Sequence, residues 1–216
     1  MDVKLISYTP EPEKILLYCA RVSNPKNQNS GNTKLITYLI DNKHWSPFSM
    51  VNFVFEVTTS RAISAQICRH WSIGTNVQEF SQRYAKVPSY ELYTARLQDV
   101  HNRQNSLATD DVDLQTWFTT AQHEINSLSH QYYTEALRRG IAKEQARFLL
   151  TEATTTRLYL NGNLRSWIHY LDLRDHEHAQ LEHQEIARAI KNILVDLVPI
   201  TAAALGWVDT SLHGGE

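Results

Sequence analysis

With 216 residues, 42% of them hydrophobic and 20% charged, the chain has the composition of one folded domain able to bury a sizeable core. A formal net charge of -2 leaves no broad basic footprint for nucleic acid, and no apolar run approaches the ~20 residues of a membrane span. Two cysteines, Cys19 and Cys68, cannot build a disulfide framework, and Met1-Asp2-Val3-Lys4 lacks a signal-peptide layout, so a reduced, cytoplasmic setting is the expectation.

In chain order, Val3 to Tyr8 reads as a short strand, and Pro10 to Val22 as a helix opened by proline and acidic residues. Residues 25 to 32 are a loop. Leu35, Ile36, Leu39 and Ile40 recur at helical spacing within Thr33 to Lys43. Val51 to Val57 alternates aromatic and β-branched residues as a strand, after which Ser60 caps a helix running to about His70. Residues 72 to 96 read as loop and short strand. Asp110 to Arg139 holds a long amphipathic helix stopped by Gly140, followed by a helix over Ala142 to Leu150. Thr154 to Leu160 predicts a strand, and Leu164 to Leu173 and His176 to Leu197 predict helices. The pattern predicts a single α+β domain over 1–216, with a small mixed sheet and several long helices.

The segment from Gln66 to Tyr84 departs from this regularity. Gln66, Arg69 and His70 share a helix face at i, i+3 and i+4, and a polar run follows with Glu79, Ser81 and Arg83. Guanidinium, amide and hydroxyl groups at this density suit a phosphorylated, planar, polar ligand better than a solvated surface. Arg69-His70, then Glu79-Phe80-Ser81-Gln82-Arg83-Tyr84, resembles the signature of the flavin-dependent thymidylate synthases, an Arg-His-Arg triplet separated by seven residues from a Ser. Two departures stand out: Trp71 replaces the third Arg, and nine residues, 72 to 80, precede Ser81. Cys19-Ala20-Arg21-Val22-Ser23, His44-Trp45-Ser46-Pro47-Phe48, and the block Asn163-Leu164-Arg165-Ser166, His169, Arg174, His178-Ala179-Gln180 resemble further family segments in the family's order.

The resemblance implies conversion of dUMP to dTMP, with 5,10-methylenetetrahydrofolate as carbon donor and FAD reduced by NADPH. It assigns dUMP to Gln66, Arg69, Glu79, Phe80, Ser81, Gln82, Arg83, Arg174 and Arg147, the last reaching a neighbouring subunit's substrate. It assigns FAD to His44, Ser46, Arg69, His70, Trp71, Glu79, Asn163, Arg165 and His169, and the folate pocket to His44 and His178. Arg174 is the implied catalytic group, its guanidinium favouring the N3-deprotonated uracil. The family is homotetrameric with shared sites. The alternative is a catalytically idle nucleotide- or flavin-binding homologue, degraded at Trp71.

Other features have plainer readings. Arg147 is placed to pair with Glu144. Cys68 reads as a small buried residue on the far side of its helix from Arg69. His176, His178 and His183 are spaced by two and five, unlike a helical zinc pair, so no metal is expected. Leu114, Trp117, Phe118, Ala121, Ile125, Leu128 and Tyr132 form a core or subunit-interface stripe, and Trp167, Tyr170 and Trp207 read as packing.

An indole offers one N–H donor and a stacking face where the family's guanidinium offers charge-assisted hydrogen bonds. FAD binding is therefore expected to be less salt-sensitive here than with Arg at 71, and Trp71→Arg should restore the dependence. FAD titrations of both proteins at low and high salt measure this. Identical salt slopes would mean that position 71 faces away from the cofactor.

Overall fold

The computed structural model describes residues 1–70, 76–87 and 89–208. Its frame is a pair of nine-residue strands, β2 (Asn52–Ser60) and β6 (Thr155–Asn163), flanked by β1 (Asp2–Tyr8) and β3 (Val77–Glu79) in the order β1-β2-β6-β3. Phe53, Phe55 and Val57 of β2 and Leu158 and Leu160 of β6 are buried, while the residues between them face outward. One packed face and one open face is the antiparallel pattern. All three pairings in this sheet are antiparallel, which corrects the mixed sheet expected from sequence. The alternation within β2 carried that information; a parallel strand buried on both faces would read as continuously apolar.

Helices α1 (Pro12–Ala20), α2 (Lys34–Asp41) and α3 (Arg61–Cys68) precede the long α4 (Val112–Arg138) and short α5 (Lys143–Ala146); α6 (Leu164–Arg174), α7 (Leu181–Leu197) and α8 (Pro199–Ala204) close the described chain. Leu16 of α1, Ile63 and Ile67 of α3, Trp167 and Leu171 of α6, and Ile186, Ile190 and Leu194 of α7 join the inner face of the sheet in one core. Trp167 is its centre. The indole is fully buried, meets Phe55 edge-on at 4.9 Å, and donates from Nε1 to the Gly162 carbonyl at 3.0 Å.

Helix α4 starts where Asp111 accepts from the Leu114 N–H at 2.9 Å, and stops at Gly140, whose φ of +84° suits a residue without Cβ. Its stripe is not core: Trp117, Ile125, Leu128 and Tyr132 are each more than half exposed, and only Asn126, Tyr133 and Ala136 are buried. A second small cluster joins Tyr133, Ala136 and Ala146 beneath Leu137 and Leu150. Two other elements differ from expectation. Residues 176 to 180 form a turn ahead of α7, and a hairpin of β4 (Arg96–Gln98) and β5 (Ser106–Ala108) starts where the region read as loop and short strand ends and runs through residues the sequence reading left unassigned. That hairpin is tied by side chains, with Arg96 Nε donating to Ser106 Oγ at 2.7 Å, so no apolar alternation announces it. No described helix is long and apolar enough to cross a membrane.

Truncating the central indole leaves a cavity that its packed neighbours cannot close. Trp167→Ala should cost about 3–5 kcal/mol, read as a lower urea midpoint at fixed protein concentration; an unchanged midpoint would mean that the core does not depend on this ring.

Candidate active site

Two capped helices deliver the central groups. Ser60 Oγ accepts from the Ile63 N–H and starts α3; Asn163 Oδ1 accepts from the Ser166 N–H at 2.9 Å and starts α6. At the far end of α3, Arg69 is exposed and His70 turns inward, only 8% exposed. At the far end of α6, Arg174 donates from Nε to His70 Nε2. Two residues from different family blocks, 104 positions apart in the chain, are thus hydrogen-bonded. Burial, then the Arg174 charge and His169, push the His70 pKa down to about 4, so the imidazole is neutral at pH 7. Its ring stands edge-on to Tyr170 at 5.2 Å and to His183 at 5.7 Å.

Arg174 has no carboxylate partner among the described residues. The adjacent Asp175 instead accepts from Arg188 Nε and Lys191 Nζ, both at 2.8 Å. The Arg174 charge is held by a neutral ring and left available to an anion.

Glu79 is anchored rather than open. Its Oε1 accepts from Ser64 Oγ at 2.7 Å, from Thr156 Oγ1 at 2.9 Å and from Arg61, so α3, β3 and β6 converge on one carboxylate oxygen. Arg61, Ser64 and Thr156 were not foreseen, because only the tertiary pairing of α3, β3 and β6 brings them to Glu79. Beyond Glu79, the Phe80 N–H donates to the Arg157 carbonyl at 2.8 Å, and the Ser81 carbonyl accepts from the Tyr84 and Ala85 N–H groups at 3.1 Å. Gln82 is half-buried in that turn, and Arg83 is exposed. Glu144 lies 3.7 Å from Arg83, not against Arg147 as the sequence spacing suggested. The Arg147 guanidinium sits over Phe148 at 5.5 Å. Gln66 donates from Nε2 to Gln180 Oε1, whose own amide donates to Glu182 at 2.8 Å.

Along the other side of α6 opens a cleft of about 1020 Å³. Asn163, Arg165 and His169, which the resemblance assigns to FAD, line it with Trp207 and with Lys43, Asp172 and Lys191, which the sequence reading did not single out, and Trp45. Trp207, read as packing, does both: it packs on the core and walls the cleft. His44 and Ser46 are exposed between cleft residues 43, 45 and 49, with the His44 ring edge-on to Tyr38 at 6.0 Å. His178 is exposed beside His176, ring centroids 4.8 Å apart; His176 is the one that lines the cleft. The histidine cluster therefore divides, with His183 buried against Tyr170 and the other two at the surface. Trp71 lies outside the described residues.

Cys68 is exposed, contrary to the buried position expected, because Ile63 and Ile67 occupy the inner face of α3 and the next residue turns away from it. Partial burial of the thiol and the Glu79 charge push its pKa up, so it carries little thiolate at neutral pH.

Comparison with known proteins gives the arrangement its context. A probable flavin-dependent thymidylate synthase of Paramecium bursaria Chlorella virus 1 is 45% identical over 218 residues, covering 96% of this chain and 100% of the relative. A flavin-dependent thymidylate synthase of Synechocystis sp. is 49% identical over 217 residues, with the same coverage of 96% and 100%. Among solved structures, a UMP/dUMP methylase, PolB, from Streptomyces cacaoi bound with 5-Br dUMP superposes with a TM-score of 0.85 at 25% identity, covering 95% of this chain and 94% of that one. With residues 4–200 matching the family described as thymidylate synthase complementing protein, the chain belongs to that family.

Proposed function

We propose that the protein is a flavin-dependent thymidylate synthase that converts dUMP to dTMP, taking the carbon from 5,10-methylenetetrahydrofolate and using FAD reduced by NADPH. The observation that carries this reading is the Arg174 guanidinium, fixed through Nε by a neutral imidazole and lacking a carboxylate partner among the described residues. A pyrimidine that becomes nucleophilic at C5 gathers negative charge on its N3 and carbonyl edge. A preorganised, uncompensated cation stabilises that charge at no further cost in reorganisation. The fully family-sized relatives at 49% and 45% identity support the same chemistry.

The remaining roles follow from chemical type. Ser81, Arg83 and, from a neighbouring subunit, Arg147 hold the dUMP phosphate, with Gln66, Arg69, Phe80 and Gln82 around the nucleotide. Glu79, tied to three internal donors, keeps this segment docked on the sheet and offers its second oxygen to ligand. The cleft along α6 has the volume and the mixture of indole, guanidinium and imidazole that an FAD requires, with Asn163, Arg165 and His169 on its wall. When bound and reduced, FAD supplies the hydride. His44 and Ser46 beside the cleft, Arg69 and His70 after α3, and His178 for the folate orient the co-substrates and exclude water. No thiol adduct is needed, and the protonated Cys68 is consistent with that.

The exposed stripe of Trp117, Ile125, Leu128 and Tyr132 on α4 is the face through which subunits join into a homotetramer with shared sites. Replacing Ile125 and Leu128 together by Glu should lower the mass seen in sedimentation velocity. A wild-type protein that is monomeric at micromolar concentration would overturn the assembly.

Single-turnover conversion of dUMP to dTMP by the purified, FAD-loaded protein with labelled methylenetetrahydrofolate tests the activity directly; a flavin-loaded protein that makes no dTMP would refute it. Arg174→Ala should fold and keep its flavin absorbance while turnover falls by about 10²–10³. Turnover like the wild type would remove Arg174 from the mechanism.

A further inference from the structure

The His70 that fixes Arg174 is itself backed by two residues, Tyr170 and His183, that none of the family blocks above names. An arginine Nε–H only donates, so His70 Nε2 must carry the lone pair and the ring proton must sit on Nδ1. A protonated His70 would present an N–H to an N–H and release the guanidinium. The arrangement works with one charge state and one tautomer of His70 alone.

Two rings enforce this. Tyr170 and His183 stand perpendicular to His70, at interplanar angles of 90° and 87°. Both are fully buried, and His183 Nε2 and the Tyr170 hydroxyl are hydrogen-bonded at 3.1 Å. His183 Nδ1 is buried with no partner among the described residues, a cost that a merely structural histidine has no reason to bear. We propose that His183 and Tyr170 are positioning residues for the synthase reaction: they wall His70 away from water, keep it neutral with its Nε2 lone pair toward Arg174, and thereby aim the guanidinium at the pyrimidine. The proposal rests on the synthase reading of Arg174.

The groups facing His70 are consistent with this. From α6 come Arg174, His169 and Tyr170; from α7 comes His183. Glu182, beside His183 in α7, is turned toward Gln180 and accepts from it at 2.8 Å. Among the described residues no carboxylate acts on His70 to favour its charged form. Burial and the Arg174 charge hold His183 neutral too, its pKa pushed down to about 3. The site therefore holds one cation against two neutral imidazoles and a phenol whose own ionisation is suppressed by burial.

The test uses the full-length protein labelled with ¹⁵N-histidine, its imidazole signals followed by long-range proton–nitrogen correlation, with His70→Gln to assign His70. The expected wild-type signal is a neutral His70 with its proton on Nδ1 from pH 8 down to pH 5. Tyr170→Phe, which keeps the ring and removes the hydroxyl, and His183→Leu should give a mixture of His70 tautomers or a charge taken up near pH 6. In both variants kcat should fall about 10–100-fold with little change in KM for dUMP. His183→Gln, which can still bond the Tyr170 hydroxyl, should recover most of the loss. A wild-type His70 with its proton on Nε2, or charged at pH 7, overturns the proposal. So do variants whose His70 signal and kcat both match the wild type. If His183→Leu does not fold, Tyr170→Phe carries the same expectation alone. A wild-type protein without synthase turnover refutes the assigned reaction, while the imidazole spectrum still decides how His70 is held.

Discussion

The site depends on the register of one strand pair. β2 and β6 are antiparallel and equally long, with Asn52 opposite Asn163 and Ser60 opposite Thr155. β2 ends at Ser60, which caps α3, and β6 ends at Asn163, which caps α6, so the two helices start at opposite ends of the same pair. Each folds back over the buried face. Eight residues of α3 span about 12 Å and eleven of α6 about 16 Å, together close to the roughly 30 Å length of nine extended residues. Their far ends therefore meet, and the residues there are His70 and Arg174. A one-residue slip of the pair would turn Phe53, Phe55 and Val57 outward and part the two helix ends at the same time.

What meets at that point is electrostatically uncommon. Structural arginines are generally satisfied by carboxylates, which fix the side chain and also neutralise it. Here an imidazole does the fixing. It accepts one hydrogen bond without contributing charge, so orientation and field strength are separated. The carboxylate nearest in sequence, Asp175, is held by Arg188 and Lys191, and its pKa, despite burial, is lowered by those two cations. The local acid is thereby kept from quenching the group beside it. An aspartate at position 70 would hold Arg174 more tightly and leave it with less to offer an anionic pyrimidine.

The elements with strong periodicity were legible from sequence: β2 from its alternation, α3 from its Ser60 cap, α4 from its amphipathic stripe and Gly140 stop. The directions of strand pairing were less so, because pairing is non-local, although the one-sided burial of β2 hinted at them. The β4–β5 hairpin was hidden because Arg96, Ser106 and Asp99 hold it through side-chain bonds with no apolar pattern. Within the site, residue types that suit anions pointed to the arginines. What escaped was everything defined by tertiary contact: Arg61, Ser64 and Thr156 around Glu79, Trp45 and Trp207 across the cleft, and Tyr170 and His183 behind His70. Cys68 was misjudged because buried cysteines are common, whereas the decisive fact was which face of α3 Ile63 and Ile67 had already taken.

The variant spacing of the signature also has a physical account. Both ends of the segment are pinned independently of what lies between: His70 by Arg174, and Glu79 by Arg61, Ser64, Thr156 and the β3–β6 pairing. Between these fixed ends, lengthening a connection by two residues, to the eight of 71 to 78, adds only about 0.3 kcal/mol of closure entropy. The geometry of Ser81, Arg83 and Arg174 is then set by the anchors and not by the count of residues in the loop. Chemical identity in that stretch matters more than its length, because a longer loop is tolerated at little cost while an indole in place of a guanidinium removes charge that no anchor can restore.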